Sequence, residues 1–121
     1  MSDIYIVDHY DGHGLNDAIS VTADEPDRHG ASHHYEAVLG GTLVATIQFQ
    51  QGPRNEPSST PGATEAVVLA ILIDRLRGFQ SGPYPCRENA IMLTKLEECL
   101  HWTRARADAR ARRGVLGKSV K

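Results

Sequence analysis

The sequence predicts an α+β protein: a small N-terminal antiparallel sheet followed by a C-terminal two-helix hairpin, assembled as a homo-oligomer. Three observations lead there. Thr42 to Gln50, TLVATIQFQ, alternates apolar and polar residues directly after the turn pair Gly40-Gly41, as a strand leaving a tight hairpin does. Ala66 to Ile73 is an unbroken apolar run inside a helical stretch. Met92, Leu93, Leu96, Cys99 and Leu100 then recur at i, i+1, i+4, i+7 and i+8, one helical stripe able to face that run.

In chain order, Ile4 to Val7 is a short strand closed by a loop of turn residues from Asp8 to Gly14. Ala18 to Ala23 alternates as a second strand, and Asp24 to Gly30 is a loop. His34 to Leu39 and Thr42 to Gln50 form the third and fourth strands, the latter with Leu43, Ala45, Ile47 and Phe49 expected on one face. A Pro-rich polar linker follows. Thr60-Pro61 reads as an N-cap with proline at the first helical position, and Gly78 as a stop for that helix. The second helix should run from about Pro85 to Arg113, with Gly114 at the C′ position. The expected organisation is one domain over residues 1–121: a β part at 1–52, a linker at 53–60, the helical hairpin at 61–114 and a mobile tail at 115–121.

Two features point to self-association. A helix apolar on nearly every face must be covered on nearly every face, which one sheet of short strands cannot do. The second helix should also be about 42 Å long by helical rise, against a diameter of about 35 Å for a compact chain of this length. It should overhang its own domain.

With 40% hydrophobic and 23% charged residues the chain is of ordinary globular composition. No apolar run approaches the length of a membrane span, and Met1-Ser2-Asp3 begins no signal peptide. Cys86 and Cys99 fall on one helix about 19 Å apart by helical rise, too far to bridge, and read as free thiols of a reducing cytoplasm. Residues 1–60 carry nine acids against two bases, whereas 61–121 carry six acids against eleven bases. Such a chain can draw an anion to its basic half, while the acidic half argues against general affinity for DNA or RNA.

Candidate chemistry gathers at two places. Around the hairpin turn, Phe79 and Asn89 lie among Arg75, Arg77 and Arg87. A phenyl ring can stack on a base, and a carboxamide matches the donor and acceptor edge of adenine. The same residues could equally seal the hydrophobic seam and bond the first helical turn. Near the end of the second helix, Arg106, Arg110 and Arg113 share a face. Guanidinium groups suit bidentate phosphate binding, though cations also complement a helix C-terminus without any ligand. His9, His13 and the His33-His34 pair match no structural zinc spacing. Cys86 has no identifiable base beside it and no serine sits in a G-x-S-x-G context, so no catalytic residue, cofactor or metal is assigned.

Three segments carry a resemblance. LNDAISVTADEP at Leu15 to Pro26, QFQQGPRNE at Gln48 to Glu56 and DRLRGFQSGPYPCRENAIMLTKLEECLHW at Asp74 to Trp102, with RGVLGK at Arg113 to Lys118, closely resemble the bacteriophage Thoeris anti-defence protein one family. The helical part is also similar to the hairpin domain of anti-CBASS cyclic-dinucleotide sponges. The resemblance implies a non-enzymatic sponge in the host bacterial cytoplasm. It would withhold glycosyl cyclic ADP-ribose signals made by TIR-domain enzymes, with cyclic di- or trinucleotides as further ligands at a second site. By motif, Phe79 would stack on the adenine, Asn89 would hydrogen-bond the ligand, and Arg54 and Arg106 would hold phosphates, joined by Arg110, Arg77 and Arg113. Phe79 and the arginine face would lie roughly 30 Å apart in one chain by helical rise, so the ligand should sit between subunits of a dimer or hexamer. A nucleotide-degrading enzyme and a small nucleic-acid-binding adaptor are the competing readings.

Overall fold

The computed structural model describes residues 4–9, 13–16 and 18–118. Expectations placed on Met1 to Asp3, on Tyr10 to Gly12 of the first loop, and on residues 119–121 lie outside them. The order is β1 (Ile4–Ile6), β2 (Ile19–Asp24), β3 (His34–Leu39), β4 (Thr42–Gln48), α1 (Glu65–Ser81) and α2 (Arg87–Arg112). The α+β expectation holds. The chain divides into two compact units, one of residues 1–54 with 58–62 and one of 55–57 with 63–121.

The first unit is a four-stranded antiparallel meander in sequence order. Gly40 and Gly41 both take positive φ, 54° and 84°, conformations that glycine adopts without the Cβ penalty of other residues. Register places Ile19, Val21 and Ala23 against Leu39, Ala37 and Tyr35, and Ala37 and Tyr35 against Ala45 and Ile47. Those residues share one face, where Ala23 is buried and Tyr35 meets Phe49 edge-on at 5.7 Å. The expected one-sided stripe of β4 breaks at Leu43. Register shifts between Ala37 and Val38, so Leu43 pairs with Val38 and Val44 is left over as a bulge. One extra residue turns every side chain beyond it to the opposite face.

The linker is closed rather than loose. Gln51 and Thr60 exchange backbone bonds of 3.0 and 2.8 Å, Arg54 donates to the Gly62 carbonyl, and Gln50 accepts from the Gly62 N–H. Thr60 is therefore paired and cannot cap the helix. Thr64 is the N-cap, accepting from Val67 N–H.

In the second unit α1 runs through Gly78 and ends only at Gly82, which is extended because Pro83 disfavours helical geometry in the residue before it. Gln80 then clamps the turn, donating to the Cys86 carbonyl and accepting from Cys86 N–H. Cys86 caps α2, its Sγ accepting from Asn89 N–H at 3.4 Å, and both cysteines are free and exposed. Ile73 and Leu76 are the buried hydrophobic residues of α1, and α2 has no fully buried residue. Of the expected α2 stripe, Leu93, Leu96 and Leu100 are half-buried and Met92 and Cys99 exposed. Gly114 takes φ +73° just past the helix, as expected at C′. Residues 115–118 fold back: Val115 N–H returns to the Arg110 carbonyl, and Arg110 Nη2 donates to the carbonyls of Val115 and Lys118.

Candidate functional site

The hairpin tip is built by three local devices: the Gly82-Pro83 stop, the Gln80 clamp and the Cys86 cap. Because Cys86 supplies the cap, Asn89 is released from that duty. Its carboxamide is half-buried and makes no hydrogen bond with the described residues. Phe79, expected at the turn itself, lies instead in the final turns of α1, 44% exposed. A ring that merely sealed the helix seam would be covered. Its visible partner is the Arg75 guanidinium, 5.0 Å from the ring centroid. One turn of helix separates the two residues, so the sequence itself stacks them.

The predicted arginines divide by what already engages them. Arg77 pairs with Glu97 Oε2 at 2.8 Å, joining α1 to α2. Arg110 is held by the two tail carbonyls, and Arg113 is the C-cap residue of α2. Arg106 is exposed and shows no bond to the described residues. Arg54 is exposed in the sheet unit and donates to Gly62. From Asn89 to Arg106 is about 26 Å by helical rise, so one α2 cannot bring both to the same small molecule.

Beside the tip, α1 and α2 enclose a groove of about 430 Å³ whose floor is Leu72, Leu76, Ile91, Met92 and Leu96, with Arg75 and Lys95 as its charged members. The apolar surface extends along α1, where Val67 is 50% and Ile71 63% exposed. Tyr84, between two prolines at the tip, is 82% exposed.

The His33 and His34 rings are occupied structurally. Asp27 accepts from the His33 ring at 2.7 Å and from His29 N–H at 2.8 Å, and those contacts, the His33 ring first, hold its carboxyl down at about 2. Burial pushes the Asp24 carboxyl up, but backbone donors from His33 and His34 outweigh it and leave it lowered. His34 bridges Gln48 and Glu36. Among the described residues no group of three or more His, Cys, Asp or Glu converges as a metal site, and no helix is long and apolar enough to cross a membrane.

Sequence reasoning picks out Phe79 and Asn89 and names Arg75 among the arginines around them, but passes over the Gln80 clamp. The stacking of Arg75 on Phe79 is not read from the sequence, although their four-residue spacing is the signal that marks it.

Two comparisons bear on this site. The family described as "Acb2/Tad1, hairpin domain" matches residues 42–108, more than half of the chain and all of the hairpin tip. The chain is also 42% identical over 78 residues to Thoeris anti-defense 1 of Bacillus phage SBSphiJ7, a match covering 64% of this chain and 54% of that protein. The chain thus spans about half the length of the curated relative it matches.

Proposed function

Because the chain belongs to the Acb2/Tad1 hairpin family, we propose that it is a phage anti-defence sponge, a binding protein that withholds a nucleotide immune signal without degrading it. The signal class is glycosyl cyclic ADP-ribose made by bacterial TIR-domain enzymes, sequestered in the host bacterial cytoplasm. The observation that carries this reading is the hairpin tip. A half-exposed phenyl ring and a carboxamide that no described residue engages stand at the same end of a clamped turn, as a base-reading surface requires. The similarity to Thoeris anti-defense 1 supports a part in phage anti-defence.

In this reading Phe79 stacks on the adenine and Asn89 reads its edge. Arg106 supplies phosphate contacts from a second chain, since its own chain keeps it too far away. Arg54, Arg110, Arg77 and Arg113 are further phosphate contacts proposed on resemblance. Arg77 and Arg110 would first have to leave Glu97 and the tail carbonyls. The uncovered apolar surface of α1 supports assembly as a homo-oligomer, a dimer or hexamer, and a second site for cyclic di- or trinucleotides would belong to the larger assembly.

The test mixes the protein with glycosyl cyclic ADP-ribose, measures depletion of the free compound, then denatures the protein and assays what is released. The expected result is depletion followed by intact recovery. Release of a cleaved product would convert the reading to a signal-degrading enzyme, and no depletion would remove it.

A further inference from the structure

Among the described residues, Arg75 differs from Arg77 and Arg110 in having only an aromatic ring to hold it. Arg77 is engaged by Glu97 and Arg110 by two carbonyls. Arg75 makes no hydrogen bond or ion pair with the described residues, and its Cζ rests 5.0 Å from the Phe79 centroid. A cation on a ring face at an exposed site is weakly held: enough to park the guanidinium, too little to compete with an anion. None of the five N–H donors of the guanidinium fork is engaged by the described residues, and that fork matches a phosphate bidentately. Arg75 also borders the apolar groove beside Leu72, Leu76 and Met92.

We infer that Arg75 is a ligand-binding residue: it takes a phosphate of the nucleotide whose base stacks on Phe79, so that one chain holds both a base and a phosphate. The inference rests on the proposed function and deepens it, because there the phosphate contacts came from a second chain. The ribose between base and phosphate is no longer than an arginine side chain, so a residue one helical turn from the stacking ring is correctly placed. Ligand entry then moves the guanidinium from the ring to the phosphate, vacating the ring face as the base arrives.

The experiment measures binding of glycosyl cyclic ADP-ribose by calorimetry at low and high salt, with native mass recorded for every variant. Arg75→Met keeps the apolar stem in the groove and removes the charge. It should weaken binding about ten- to a hundredfold, the worth of a charge-assisted bond, and lose less affinity than wild type as salt rises. Phe79→Leu should weaken binding while keeping the wild-type salt dependence. Arg75→Lys should keep that dependence too. If Arg75→Met disturbs the native mass, Arg75→Gln takes its place. Full affinity in the uncharged variant overturns the inference. So does weakened binding with unchanged salt dependence, which would make Arg75 a prop for the ring. A wild-type protein that does not bind the compound at all removes the sponge reading itself, a different and separately visible failure.

Discussion

Single residues decide whether the hairpin tip can read a base. Phe79 is 44% exposed and the Asn89 carboxamide has no partner among the described residues, so neither carries a large share of the packing. Phe79→Ala and Asn89→Ala should therefore each weaken signal binding while leaving native mass and melting temperature close to wild type. Stacking on one base is worth about 1–3 kcal/mol, hence a loss of about ten- to a hundredfold for Phe79→Ala by calorimetry. Asp27 works in the opposite way, for the fold and not for a ligand. Its carboxyl is held down at about 2 from an ordinary 3.8 by the His33 ring first and His29 N–H next. A folded value below the unfolded one means that its stabilisation is complete above about pH 4 and is lost as pH falls through about 2. Melting temperature should thus drop more steeply between those limits in wild type than in Asp27→Asn. Equal slopes would show that the contact contributes nothing.

At the scale of elements, two glycines make opposite predictions. Gly78 sits inside α1 with nothing within 4 Å of an added methyl. Gly78→Ala should stabilise the protein by about 0.5–1 kcal/mol in denaturant titration. At Gly62 an added methyl would meet the backbone of Gln48 and Phe49, and no flexible side chain can yield there. Gly62→Ala should cost about 1–3 kcal/mol, the usual range for overpacking. These glycines also show where local reading fails. Gly78 resembles a helix stop, but an interior glycine costs only about 1 kcal/mol, which the continuing helix absorbs. Gly82 before Pro83 is the actual end, since the proline both lacks an N–H and excludes helical geometry before it. Likewise Thr60 has the chemistry of an N-cap, yet its backbone is already paired with Gln51, nine residues back.

For the molecule as a whole, the core is small. Among the described residues Ala23, Ile73 and Leu76 are the buried hydrophobics, few for a domain that must offset the entropy of its own ordering. Val67, Ile71 and Leu72 on α1 are 50%, 63% and 43% exposed. Covering them by a second chain would recover roughly 1.5–3 kcal/mol per fully buried side chain. Native mass should accordingly exceed that of one chain, and Ile71→Glu should reduce it to the single-chain value, because a carboxylate cannot be buried there without a partner. A wild-type mass equal to one chain would remove the intersubunit pocket. Loss of signal binding in Ile71→Glu, with the tip residues intact, would tie the pocket to assembly.

Period and turn chemistry determined much by themselves. Alternation at Thr42 to Gln48 and glycines at 40–41 specified the hairpin, and an unbroken apolar run followed by one 3.6-residue stripe specified the two helices. An aromatic and an amide at the hairpin end marked the candidate site. Each of these signals is carried by residues close together in the chain. What only the tertiary structure decided depends on partners far apart. A register shift between β3 and β4 moved Leu43 to the other face, and Gln51 took Thr60 away from the helix. Glu97 and the folded-back tail engaged Arg77 and Arg110, whereas Arg75 was left resting on Phe79. A sequence states which side chains can donate, accept or stack. Which of them are still free to do so is settled only after the fold has used the others.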